Sequence, residues 1–143
     1  MFLGEYNHTI DDKGRLTIPA RFRDDLESGV VITRGLDGCL WAFGRAEWDA
    51  LAEKVDKLPK TNPAARNFAR LVFGKASDSI PDRQGRILLP PNLREYAEID
   101  TETVIVGMYT RLEIWQPEKW AQMMSQVESN TDAIAAQLQD LGI

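Results

Sequence analysis

Two stretches of this chain are versions of one segment: DDKGRLTIPARFRDDL, residues Asp11–Leu26, and DRQGRILLPPNLREYA, residues Asp82–Ala97. Asp11 answers Asp82, Gly14 answers Gly85, Arg15 answers Arg86 and Pro19 answers Pro90, at a constant offset of 71 residues. The likeness continues outward. VVITRGLDGCLWAFGRAEW ends at Trp48 and VIVGMYTRLEIWQPEKW ends at Trp120, now 72 residues apart, so one residue has been inserted between motif and strands. Leu40 matches Leu112 and Phe43 matches Trp115. An internal duplication limits the fold more than composition does, because each copy must be one structural unit. A unit of roughly 45 residues is marginal alone. The copies, residues 5–48 and 76–120, are therefore expected to share one core as an intramolecular pseudo-dimer.

Each copy has one order of elements. A strand near residues 4–11, or 75–81, runs into an Asp-x-x-Gly-Arg turn, where glycine permits positive φ. A short strand follows, Arg15–Ile18 or Arg86–Leu89. Proline then opens a short helix, where its missing N–H costs nothing. Phe22 and Leu26 share one face of it, as do Leu93 and Ala97. Two strands come next, Val30–Thr33 with Leu40–Phe43, and Val104–Met108 with Leu112–Trp115. Apolar residues at 48, 51, 52 and 55, and again at 120, 123, 124 and 127, have the spacing of an amphipathic closing helix. Two helices lie outside the repeat. NPAARNFARLVFG has Asn62 as N-cap, Pro63 at the first turn and Gly74 as a stop, and TDAIAAQLQDLG aligns Ile134, Leu138 and Leu141. The class is α+β.

Several chemistries have little material here. One cysteine, Cys39, excludes an internal disulfide and suits a reducing cytosol. One histidine, His8, leaves no Cys/His cluster for a metal, and Walker and nucleophile-elbow patterns are absent. Asp11 and Asp12 are neighbours whose side chains point apart in extended chain, a poor acid/base pair. No enzyme, metal or cofactor is expected. The tryptophans at 41, 48, 115 and 120 read as packing residues. The start MFLGEYNHTID lacks a signal-peptide pattern, and no apolar run spans a membrane. A cytoplasmic protein is expected.

The twin turns carry the functional signal. From Asp11 to Arg23, Lys13, Arg15, Arg21 and Arg23 stand against Asp11 and Asp12; from Asp82 to Arg94, Arg83, Arg86 and Arg94 stand against Asp82. Each stretch is +2 in a chain of net charge −5. Segregated basic turns suit a phosphate-bearing partner. Arg21, Arg23 and Arg94 are expected only to solvate a helix face. For Asp11 and Asp82, with Gly14 and Gly85, a structural role stands beside the functional one: each Asp–Arg pair can pin its own turn, or the copies can pair across the pseudo-twofold.

The segments MFLGEYNHTIDDKGRLTIPARFR, SIPDRQGRILLPPNLR and LEIWQPEKW resemble the MraZ family of bacterial transcriptional regulators. The likeness covers essentially the whole chain, and its Asp-x-x-x-Arg signature stands in both copies. The resemblance implies two SpoVT–AbrB-like repeats in a swapped-hairpin β-barrel with flanking helices. It also implies nucleoid association, a ring-shaped homo-oligomer larger than a dimer, and binding of direct repeats in the promoter DNA of the division and cell-wall gene cluster, as a repressor. The DNA-facing residues it implies are Arg15 first, then Lys13, with Arg86 and Arg83 at matching places in the second turn. Lys13 is answered by Gln84, which favours the first turn as the main reader. The other class of function is an assembling, protein-interaction module whose Asp–Arg pairs are salt bridges. Apolar surplus such as Phe68 and Leu71 predicts self-association on either reading.

Overall fold

A computed structural model describes residues 1–143. The first copy contributes β1 (Glu5–Thr9), β2 (Arg15–Thr17), a 3-10 turn at Ala20–Phe22 running into α1 (Arg23–Leu26), β3 (Val30–Arg34), β4 (Leu40–Gly44) and α2 (Arg45–Asp56). Helix α3 (Pro63–Gly74) leads to the second copy. There β5 (Ser77–Ser79), β6 (Arg86–Leu88), α4 (Pro91–Ala97), β7 (Glu102–Gly107), β8 (Leu112–Trp115) and α5 (Pro117–Ser129) follow the same order, before α6 (Thr131–Gln137) and a closing 3-10 turn. The two short post-proline helices differ. Pro91 stands at the first helical position of α4 with φ already set, whereas Ala20 holds that place in the first copy and only one 3-10 turn precedes α1.

The copies trade strands. In the antiparallel six-stranded sheet, ordered β1-β7-β8-β4-β3-β5, the first strand of each copy pairs with the third strand of the other. Tyr6 lies opposite Ile105, and Asp78 lies opposite Val31. The β4–β8 seam, with Trp41 opposite Glu113, joins the copies again. A separate ribbon pairs β2 with β6, placing Leu16 opposite Ile87. The hydrogen bonding is that of two sheets and not of one closed barrel. Strands β1 and β5 are edges, and only an isolated bridge, Ile10 with Leu16, ties β1 to β2.

One core serves both copies. Leu16, Ile18, Phe22 and Leu26 are buried in the same cluster as their counterparts Ile87, Leu89, Leu93 and Ala97. Phe22 meets Phe2 and Tyr6 edge-to-face, with ring centroids 5.2 Å apart in each case. A smaller cluster holds Cys39, Val104, Val106 and Trp115. Cys39 lies one residue before β4, and burial pushes its thiol up to about 12, so it packs as a small apolar group. Helix α3 begins as its sequence predicts, with the Asn62 side chain accepting from the amides of Ala64 and Ala65. It buries Val72, whose carbonyl accepts a 2.6 Å bond from Thr33 Oγ1, and leaves Leu71 exposed. No helix is long and apolar enough to cross a membrane.

Candidate nucleic-acid interface

Each Asp-x-x-Gly-Arg segment is a three-residue hairpin loop. The Asp11 amide donates to the Arg15 carbonyl, and the Gly14 amide donates back to the Asp11 carbonyl. Gly14 takes φ 79°, and Gly85 takes φ 74° at the same place in the second loop. This is a type I turn completed by a left-handed residue, and it needs glycine. Space demands it as well. A Cβ on Gly14 would come 3.2 Å from Arg94 Nη2, and one on Gly85 would collide with the Arg23 guanidinium.

The aspartates hold the loops. Asp11 Oδ1 accepts from the amides of Lys13 and Arg15, at 3.0 and 2.9 Å, and Oδ2 accepts from Arg15 Nε at 2.7 Å. Asp82 repeats the pattern with Gln84 and Arg86, at 2.9, 2.9 and 2.7 Å. Both carboxyls are thereby held below the ordinary carboxylate range, by the Arg15 or Arg86 amide first and the guanidinium bond next. A depressed folded pKa means that the unfolded chain binds more protons in the window between the two values. The stability these groups supply is present above the unfolded value of about 3.9 and is lost as pH falls through the lower folded value. An NMR acid titration is expected to show Asp11 and Asp82 carboxyl midpoints below that of a free aspartate. Midpoints at the ordinary value would mean that the loops are not held this way in solution.

The β2–β6 ribbon sets the loops side by side. The Ile18 amide donates to the Gly85 carbonyl at 2.8 Å, and the Leu89 amide to the Gly14 carbonyl at 2.9 Å. Each loop is thus anchored to the strand end of the other copy. Arg23 donates to the Ile18 carbonyl and lies on Gly85; Arg94 donates to the Leu89 carbonyl and lies on Gly14. These two arginines do not merely solvate a helix face: they tie each copy's short helix to the opposite loop. Their 71-residue separation, the offset of the motif itself, was the available signal. Arg21 is exposed and reaches Tyr6 Oη. Partial burial first, and the Arg23 charge next, lower the His8 pKa, so that side chain adds no charge nearby at neutral pH.

The loops are not equivalent. The side chains of Arg15 and Arg86 are 30% and 26% exposed. Arg86 Nη1 also lies 3.9 Å from Asp11 Oδ2, so it is shared between two carboxylates, and Arg15 has no matching contact with Asp82. Lys13 and Arg83 stand exposed at the loop tips without carboxylate partners. The four candidate cations thus come from two adjacent loops on one ribbon. In Arg15 the Nε is occupied by Asp11, which orients the fork and leaves the Nη groups as donors.

The comparisons with known proteins agree with this duplicated architecture. The family profile described as "MraZ protein, putative antitoxin-like" matches residues 1–71 and again residues 72–141. Proteins named Transcriptional regulator MraZ are similar along their whole length. That of Roseiflexus castenholzii is 52% identical over 141 residues, covering 99% of both chains, and that of Roseiflexus sp. strain RS-1 is 51% identical over the same length and share. The Moorella thermoacetica protein is 49% identical over 143 residues, covering both chains in full. Two matches of the family profile and whole-length identity near one half place this chain in the MraZ family.

Proposed function

We propose that the protein is a sequence-specific DNA-binding transcriptional regulator that presents the first loop, and beside it the second, to promoter DNA. The observation that carries this reading is the pairing of β2 with β6. It gathers Lys13, Arg15, Arg83 and Arg86 onto one rigid ribbon in a chain of net charge −5. Rigid elements place base-reading groups better than mobile ones. Arg15 is the main reader, because its Nη groups are not shared with a second carboxylate; Lys13 adds a phosphate contact, and Arg86 and Arg83 support from the second loop. The strand exchange supports a swapped-hairpin origin for the two repeats, residues 5–48 and 76–120, with the β2–β6 ribbon completing a barrel-like wall. The family relationship supports repression of the division and cell-wall gene cluster, direct promoter repeats as target, a nucleoid location in the cytoplasm, and a ring of more than two copies.

A second reading has its own observation. Both arginines are ion-paired within their own loops and about 70% covered, as a purely assembling module would have them. Retention on duplex DNA separates the two. The DNA reading expects retention that falls steeply with salt, since each neutralised phosphate releases counterions. Intact assembly with no retention at low salt would favour the assembling module.

A further inference from the structure

The two halves of the sheet carry different helical pairs. Helices α2 and α3 cover β3 and β4, and between them runs an open cleft of about 310 Å³. Its apolar lining includes Val55, Leu58 and Phe73, and its charged lining is Arg66 and Arg70 with Lys60 and its partner Asp56. Residues 57–77 carry Lys57, Lys60, Arg66, Arg70 and Lys75 with no aspartate or glutamate. Lys57 and Lys60 fold back to Glu53 and Asp56. Arg66 reaches only the Lys60 carbonyl, and Arg70 only the Asn67 amide oxygen, so neither has a carboxylate.

The other half offers the complement. Helix α5 packs on β7, and α6 follows it after one residue, Asn130. None of the seven residues of α6 is buried, and a helix this short is marginal without a partner. Ile134 in α6, Leu138 at its C-cap and Leu141 in the closing 3-10 turn follow the i, i+4, i+7 spacing; Leu138 is half-buried, and Ile134 and Leu141 are 37% and 73% exposed. Residues 121–143 carry Glu128, Asp132 and Asp140 with no lysine or arginine. A C-terminal helical segment with exposed apolar residues and a net negative charge, and an apolar cleft with a net basic lining, are the two sides of a helix-in-groove contact.

From this match we infer that α6 of one copy docks in the α2–α3 cleft of a second copy. The inference rests on the oligomeric reading above and names its contact. Cleft and helix belong to opposite halves of the sheet, so the contact is head-to-tail and extends beyond a pair until it closes.

Light scattering on the full chain tests it. Wild type is expected above dimer mass. Ile134→Asp/Leu138→Asp, blocked at the helix, and Arg66→Glu/Arg70→Glu, blocked at the cleft, are each expected to be monomeric at micromolar concentration. Their equimolar mixture should form a heterodimer and nothing larger, because one sound helix meets one sound cleft. Wild-type mass in either variant overturns the contact and leaves the oligomeric reading standing; monomeric wild type overturns both. If Arg66→Glu/Arg70→Glu keeps its mass but loses DNA retention, the basic lining serves nucleic acid and the inference fails. Cross-linking covers the case of a misfolded variant. Ala69→Cys/Leu138→Cys, with Cys39 buried and unreactive, is expected to give a ladder of covalent multimers on oxidation. Internally linked monomer alone, or no link, overturns the contact.

Discussion

Arg15→Ala is expected to abolish preference for the promoter boxes while leaving fold and assembly intact. A guanidinium that donates two parallel bonds to guanine O6 and N7 discriminates by roughly 1–3 kcal/mol, about 5- to 150-fold for each engaged loop. Because Asp11 holds Arg15 through Nε, the side chain is already ordered in the free protein, and little side-chain freedom remains to be lost. The fold should tolerate the change, since the Asp11 carboxylate keeps its bonds from the Lys13 and Arg15 amides. Lys13→Ala should behave differently: its exposed ammonium is a point charge, so all sequences weaken alike and the salt slope falls by about one unit per engaged loop. Gel-shift titrations on promoter and scrambled duplexes at several salt concentrations separate the cases. Wild-type promoter affinity in Arg15→Ala would remove Arg15 from the interface.

Moving the promoter boxes apart by five base pairs is expected to have a larger effect. One loop with an arginine and a lysine makes few contacts, and a net charge of −5 opposes DNA at long range. A single loop is therefore expected to bind near the roughly 10⁻⁴–10⁻⁶ M of non-specific contacts. Loops linked in one assembly gain avidity of about 10²–10⁴ when geometry lets them engage together. Neighbouring loops meet one face of the duplex only if boxes recur near a helical turn, roughly 10–10.5 base pairs. Head-to-tail neighbours would face the same way, so the boxes are expected to be direct repeats. A five-base-pair insertion turns one box about half a turn away. Affinity should drop towards the single-box value and recover in part with ten. Equal affinity at all three spacings would mean that the loops act singly.

The elements of the repeat were legible because the chain spells them twice, and α3 because its ends carry their own signals. Leu112–Trp115 is the predicted strand to the residue, Asn62 and Pro63 open α3 as their residue types predict, and the helix ends at Gly74, with Lys75 as its C-cap. The pairing of Asp11 with Arg15 was open to a local or a cross-copy reading; the loop closes locally, and only Arg86 reaches across. Arg23 and Arg94 were less legible. On a helical wheel they look like solvent residues, and only the tertiary placement of a glycine under each explains them. The sheet arrangement was harder still. Periodicity reports which face of a strand is buried, not which strand lies beside it, and a three-residue β2 decides between a closed barrel and two sheets by hydrogen bonds that side-chain pattern does not encode.

The exchange of strands also governs the order in which the molecule can form. During synthesis the N-terminal copy leaves the ribosome first, yet its opening strand has no partner until β7, about a hundred residues later, has emerged. Its third strand can pair with β4 at once, but its other edge stays open until β5 emerges. Translation at roughly 5–20 residues per second leaves the first half waiting for several seconds with an incomplete sheet. Long-range pairing of this kind is slow to nucleate. The nascent chain is therefore committed late and all at once, and neither half can reach its final fold ahead of the other.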